Sequence, residues 1–403
     1  MKICGITAEY NPFHKGHAYQ IAKARQAGAT HILAVMSGNF VQRGAPAILD
    51  KWTRTQAALR GGVDLVIELP LPFATASAEA FSYGALSLMQ AAGCVDMVSF
   101  GAEDPLGRLQ SVLSVLLSDR FEPVLRARLG EGGSYAAARA KAVEDLAGKE
   151  AAALLERPNN ILALEYLKAA NRLDFFPEWN AVLRQGAQHD QAGLQGGFMS
   201  ATYLRSLLEQ NDWDEAEKGL TEAGRIIYRQ AFLAGRGPVR LETLERSMLS
   251  ALRNRSLEQL RALPDMGEGL ENRLYTGIRQ AVSIPQLYGL IRSKRYPHSR
   301  ARRMVLHAFL DVTAKMLESP PPYLRILGIG GKGGEILKRM KEKARLPLSQ
   351  SLHELQNLGG DARAFAVLEA SATDQYVLGM PKPLSCGWEF TASLVKEKEE
   401  SLC

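Results

Sequence analysis

The chain has no long apolar run. No window approaches the roughly 18 consecutive apolar residues of a membrane-spanning helix. The first residues also lack a basic stretch followed by a long apolar core. Neither a membrane span nor a secretory signal is therefore expected. Cysteine is scarce: Cys4, Cys94, Cys386 and Cys403 are scattered without C-x-x-C spacing. That argues against a zinc ribbon or a dithiol redox motif, and a reducing cytoplasm fits best. Internal repeats and low-complexity tracts are absent from the 403 residues. What remains, 46% hydrophobic and 23% charged, is an ordinary globular composition with length for two or three domains.

An excess of one charge is missing from only half of the chain. Residues 1–210 carry 20 basic and 20 acidic side chains, whereas residues 273–345 carry 16 and 4. A local excess of that size can attract a polyanion. A solvated basic helical surface would give the same count.

Apolar runs at 2–8, His31–Met36, Asp64–Leu69, Asp96–Phe100 and Trp179–Arg184 alternate with helical patterns at 15–27, 51–60, 77–90 and 161–170. Strands alternating with helices at this spacing predict a Rossmann-like α/β unit, a parallel sheet with helices on both faces. From about Trp213 the pattern turns helical with almost no strand runs. Candidate helices fall at 213–223, 240–251, 255–262, 267–281, 284–292, 298–317, 331–343 and 361–376. The expectation is a sheet domain over 1–210 and a mostly α-helical domain over 211–403.

Three motifs carry chemistry. His14-Lys15-Gly16-His17 opens a helix directly after the first strand. Backbone N–H groups and the helix dipole favour phosphate there, and two imidazoles can donate to a phosphate whose charge grows during reaction. Ser200-Ala201-Thr202-x-x-Arg205 opens another helix with hydroxyl and guanidinium donors suited to phosphates, although Ser200 or Thr202 could equally be a plain helix cap. Lys294-Arg295-Tyr296 and Arg300-x-Arg302-Arg303 put basic side chains around an aromatic, a set that suits phosphate contact and base stacking. Ser37 to Gly44 after strand two has the length and glycines of a substrate loop. Gly328-Ile329-Gly330-Gly331-Lys332-Gly333 mimics a P-loop but lacks the following Ser or Thr. It reads as a flexible basic turn, with Lys332 a possible phosphate contact. His189-Asp190 could pair catalytically by composition, but an ordinary surface role fits as well.

The HxGH turn, the strand order and the Ser200 element resemble the nucleotidyltransferase superfamily. Ala8 to His17, Ser37 to Ala47, Asp50-Lys51-Trp52, Asp64 to Pro70, Pro158 to Leu162, Glu268 to Arg273 and the Arg295 to Leu306 block occur in order. Together they resemble the bacterial tRNA(Met) cytidine acetate ligase family, over nearly the whole chain. Ala201 departs from the usual superfamily version, where a second serine stands.

That resemblance implies activation of acetate by ATP and acetylation of the wobble cytidine of elongator methionine tRNA. It implies ATP held by Thr7, Ala8, Glu9, Tyr10, Asn11, Pro12, Phe13, His14, Lys15, Gly16, His17, Ala18, Tyr19 and Gln20. Gly101, Asn159 or its neighbour Asn160, and Arg184 would add contacts, with Ser200, Thr202 and Arg205 on the phosphates. His14 and His17 would be catalytic. Lys294, Arg295, Arg300, Arg302, Arg303 and Lys332 would meet tRNA. Magnesium is expected with ATP, although no dedicated carboxylate cage is visible. Two other readings stay open: an adenylyltransferase of a small phosphorylated metabolite, and an RNA-binding protein with a relict nucleotide pocket.

Overall fold

The structure is a computed structural model and describes residues 1–184, 197–267, 269–293 and 298–397. Five strands form its centre: β1 (Ile3–Ala8), β2 (His31–Ser37), β3 (Leu65–Leu69), β4 (Met97–Ala102) and β5 (Glu178–Leu183). They pair in parallel in the order β3-β2-β1-β4-β5. The apolar runs read as buried strands because both faces are covered. On one face Cys4, Ile6, Ile32 and Ala34 pack with Ile21 and Ala24 of α1 (Lys15–Gln26) and Ala57 of α2 (Lys51–Arg60). On the other, Ile3, Leu33, Val35 and Leu65 pack with Leu88 of α3 (Ala78–Ala91) and with Leu164 of α4 (Pro158–Arg172). Alternate residues of each strand serve opposite faces, as the strand period of two requires.

The second half was expected to be mostly helical, and the structure adds strands that the sequence reading did not place. β6 (Leu324–Ile329) joins the sheet antiparallel to β3, and β7 (Val395–Lys396) pairs parallel with β6. The sheet is therefore mixed and takes strands from both sides of residue 210. The physical reason is the pairing of one polar residue. Arg325 interrupts an otherwise apolar run, and its guanidinium is buried against Glu68 and Glu389 at 2.9 and 2.6 Å. Without β6, β3 would be an exposed edge.

α5 (Ala201–Glu209) is followed by two helices where one was expected over 213–223. The first ends at Gly219. Thr221 then caps α6 (Glu222–Leu233), its Oγ1 accepting from Gly224 N–H at 3.2 Å. α6 returns to the sheet unit, where Ile227, Tyr228 and Ala231 share a core with Phe13 and Ala57.

A helical layer follows: α7 (Leu241–Arg253), α8 (Leu270–Gln280), α9 (Ile284–Ile291), α10 (His298–Leu310), α11 (Gly333–Lys343) and α12 (Gly360–Val377). α10 stops well short of the expected residue 317, because Asp311 takes φ +64°. α7 to α10 and α12 enclose one core that also takes Phe40 and Leu71 from the first half. Phe40 belongs to a two-stranded hairpin, Phe40–Val41 against Ala45–Pro46. α12 grips both its ends. Thr373 Oγ1 accepts from Asn39 Nδ2 at 2.9 Å, and Tyr376 OH donates to Ala47 O at 2.8 Å.

Candidate active site

The turn between β1 and α1 lies at the C-terminal edge of the sheet, where open α/β sheets bind ligands. His14 caps α1, its Nδ1 accepting from Gly16 N–H at 3.0 Å. His17 Nδ1 accepts in turn from His14 N–H at 3.2 Å. A nitrogen that accepts carries no proton, so each neutral ring holds its proton on Nε2. The two rings lie 3.8 Å apart between centroids. Gly16 leaves room for this: a Cβ there would meet His14 Cε1 at 2.8 Å. Burial, then Arg184 and Arg205, pull the His14 imidazole down to about 3. Burial, then His14 and Arg184, hold His17 well below its ordinary value. The site thus presents two neutral N–H donors beside two cations.

The cations arrive on other elements. Arg205, on α5, donates to Asn11 O at 2.7 Å and to Thr202 Oγ1 at 3.2 Å, which joins the Ser200 motif to the HxGH turn. Ser200 itself is spent as the α5 cap, its Oγ accepting from Tyr203 N–H at 3.2 Å. Arg184 follows β5 and donates to Asn159 Oδ1 at 2.9 Å. A Cβ on Gly101, at the end of β4, would meet only Arg184 Cγ at 3.8 Å. Asn160 is fully buried. Its Oδ1 accepts from Glu103 and Asp104 N–H at 2.9 and 3.1 Å, and its Nδ2 donates to Asp104 at 2.8 Å. Asn160 holds the loop after β4, and its half-buried neighbour Asn159 faces Arg184.

The other turn residues divide. Thr7 and Ala8 end β1, and Pro12 and Ala18 flank the turn and the first helical turn. Tyr10, buried at φ +46°, packs edge-on against Phe13 and His17 at 5.0 and 4.9 Å. Phe13 is core, and its N–H donates to Tyr228 OH at 2.8 Å. Lys15 reaches Lys218 O at 2.7 Å. Tyr19 packs on Phe198 at 5.3 Å, and Gln20 donates to Ser99 O at 3.1 Å. Glu9 Oε1 accepts from Gln42 N–H at 3.0 Å, tying the turn to the hairpin.

Two buried groups were given no role in the sequence reading. Arg54 is fully buried in α2. It donates to Leu49 O at 2.9 Å, to Ser37 O at 3.1 Å, and to the carbonyls of Glu9 and Gly38. It clamps the ends of β1 and β2 together. Behind Gly38, Lys51 pairs with Glu68 at 2.5 Å and with Glu389, close to Glu369 and Arg325. Burial pushes Glu389 up, but Arg325 and Lys51 outweigh it and hold the carboxyl down to about 2. Among the described residues Glu68, Glu369 and Glu389 are the one grouping of three possible metal ligands. Lys51 and Arg325 already neutralise it.

The basic residues of the second half lie apart from this site: Arg302 and Arg303 sit on α10 beside the hairpin, and Arg300 donates to Asp265 O. Lys294, Arg295, His189 and Asp190 lie outside the described residues. Lys332 does not join this group. The register pairs Leu65, at the start of β3, with Ile329, so the turn after β6 sits at the opposite edge of the sheet from His14. Its glycines serve packing, since a Cβ on Gly333 would lie 2.2 Å from Asp64 O.

The chain matches the HIGH Nucleotidyl Transferase family over residues 1–386. It is 35% identical to a tRNA(Met) cytidine acetate ligase of Thermoanaerobacter sp. (strain X514), covering 98% of this chain and 100% of that protein. The chain belongs to this family. A relative of the same name from Caldanaerobacter subterraneus subsp. tengcongensis is 37% identical, over 94% of this chain and 95% of its own length. The crystal structure of Thermotoga maritima TmcAL bound with alpha-thio ATP superposes with a TM-score of 0.91 at 33% identity, covering 99% of this chain and 100% of that one. The expected family and α/β nucleotidyltransferase fold are thus borne out. No helix among the described residues is long and apolar enough to cross a membrane.

Proposed function

We propose that the protein is an ATP-dependent tRNA cytidine acetate ligase acting on the wobble cytidine of elongator tRNA(Met) in the cytoplasm. The observation that carries this is the pair of Nε2–H donors on His14 and His17 beside Arg184 and Arg205. An acetate oxygen attacks the α-phosphorus of ATP, the bond to the bridging oxygen breaks, and pyrophosphate leaves. The imidazoles donate to the α-phosphate oxygens as charge builds there. Thr202 and Arg205 hold the departing pyrophosphate, and Arg184 and Asn159 hold the nucleotide. The cytidine N4 amine then attacks the acetyl carbonyl, AMP leaves, and the amine loses a proton. No covalent nucleophile of the protein is required.

Magnesium would arrive with ATP and would supply charge neutralisation at the phosphates. Among the described residues the one grouping of three buried carboxylates, Glu68, Glu369 and Glu389, is already paired with Lys51 and Arg325 and does not fit a divalent ion. The helical layer with Arg300, Arg302 and Arg303 holds the tRNA, with Lys294 and Arg295 nearby in sequence. Binding should weaken steeply with salt.

Nucleoside mass spectrometry of bulk tRNA incubated with ATP and labelled acetate tests the reading. A labelled N4-acetylcytidine is expected, and its absence would remove the assignment. Acetate-dependent ATP–pyrophosphate exchange isolates the first step. Reversing Arg302 and Arg303 to Glu should weaken tRNA binding at least about tenfold.

A further inference from the structure

Arg184 follows β5 on a long, exposed side chain that free rotation would spread over many positions. A chain of polar side chains holds it. Arg184 donates to Asn159 Oδ1 at 2.9 Å, and Asn159 Nδ2 donates to Glu103 Oε1 at 2.5 Å. The second Glu103 oxygen accepts from Asn160 N–H at 2.9 Å, in the first turn of α4, where the helix dipole favours a carboxylate. The Glu103 backbone is fixed in turn, its N–H donating to Asn160 Oδ1 at 2.9 Å. Both neighbours of the Asn159 amide impose the same orientation on it. A guanidinium only donates and an ionised carboxylate only accepts, so the amide oxygen faces Arg184 and the NH2 faces Glu103. Glu103 therefore decides which end of the amide Arg184 meets.

We propose that Glu103 is a positioning residue for ATP: by orienting the Asn159 amide it holds the Arg184 guanidinium in place at the nucleotide site before ATP binds. The proposal rests on the functional reading above, in which Arg184 holds the nucleotide. Glu103 acts through Asn159 and Arg184, not on ATP itself. A cation fixed in advance loses less freedom on binding, and affinity rises accordingly. The contact with Asn160 N–H alone would make Glu103 a plain cap of α4, and such a cap acts on folding rather than on Arg184. Only one of its two oxygens serves that purpose. The other is given to the Asn159 side chain, which leads to the site.

The test is a double-mutant cycle on ATP binding, followed by titration calorimetry of the full chain. Glu103→Gln keeps the size of the side chain and an oxygen for Asn160 N–H but turns an NH2 toward Asn159. It should weaken ATP binding about tenfold, the scale of one hydrogen bond to a charged group. With Arg184→Ala already present, the same substitution should change affinity by less than about twofold, because the side chain it positions is gone. In acetate-dependent exchange Glu103→Gln should raise KM for ATP more than it lowers kcat. Melting temperatures check folding. If Glu103→Gln does not fold, Glu103→Asp, one methylene too short to serve Asn159 and Asn160 together, takes its place in the cycle. Equal losses with and without Arg184, as a plain cap of α4 would give, or no loss in either background, would overturn the proposal. Failure of the functional reading looks different: wild-type protein would then yield no acetylated cytidine with ATP and acetate, whatever the outcome of the cycle.

Discussion

A histidine side chain has two nitrogens, and His14 uses them for separate tasks. Nδ1 caps α1, while Nε2 is left to donate. Alanine at this position would remove both and confuse a lost cap with a lost donor. Asparagine separates them, since its side-chain oxygen can cap but its amide does not reach as far. His14→Asn should keep the melting temperature within a few degrees and lower acetate-dependent exchange by about 10²–10³, the usual effect of deleting one transition-state donor. Full exchange activity would remove His14 from the mechanism. The low pKa values make a second check: nitrogen NMR should find both Nδ1 atoms unprotonated across the neutral range, with no titration near the ordinary histidine value. The motif was legible because its residues are close in sequence. Arg54 was not, because a buried arginine that serves four carbonyls looks in sequence like any polar residue on a helix. Asn159 and Asn160 were indistinguishable for the same reason, until the loop after β4 was seen to consume one of them.

At the scale of elements, the hairpin ties the nucleotide turn to α10, and its seat depends on Gly44. That residue has φ +75°, and a Cβ would stand 2.7 Å from the Arg302 carbonyl carbon and the Arg303 nitrogen. Both are backbone atoms of α10 and cannot rotate away. Gly44→Ala should cost ~1–3 kcal/mol of stability and lower acetyl transfer to tRNA more than acetate-dependent exchange. Equal losses of both steps would place the hairpin in activation instead. Behind it lies the buried charge group. Burial first, then Glu68, push the Glu369 carboxyl up to about 8. A glutamate in the unfolded chain titrates near about 4.3. Between those values the folded state keeps a proton that the unfolded state has lost, so stability falls as pH rises through that window. Melting temperature should decline from about pH 5 to about pH 9, and Glu369→Gln should flatten the decline. An identical slope in the variant would assign the effect to another group. Strands β1 to β5 were readable from period and punctuation. β6 had the same signal, an apolar run between Pro320–Pro322 and a glycine turn, but Arg325 concealed it.

At the scale of the molecule, charge and periodicity put a division near residue 210, and packing crosses it. The reason is that chain order and spatial order differ: α6 supplies Tyr228 to the nucleotide turn, and β6 closes the side of β3. Composition sees only neighbours in sequence, so it locates the basic helical layer but not the strands that return to the sheet. Part of that basic excess is also spent on contacts within the protein, buried at Arg325 and exposed at Arg273. Arg325 is buried in ion pairs, and Arg273 donates to Leu290 O and Arg292 O at the end of α9. A fragment of residues 1–210 would therefore keep HxGH, Arg184 and Arg205 but expose β3 as a bare edge and strip Phe13 of its α6 cover. Exposed apolar edges associate. The fragment should form aggregates on size-exclusion chromatography and show no cooperative melting, and adding residues 211–403 as a separate chain should restore a non-aggregated, cooperatively melting species. A monomeric, cooperatively melting fragment that binds ATP would show that the nucleotide turn is held by its own half, and that β6 and α6 serve tRNA placement alone.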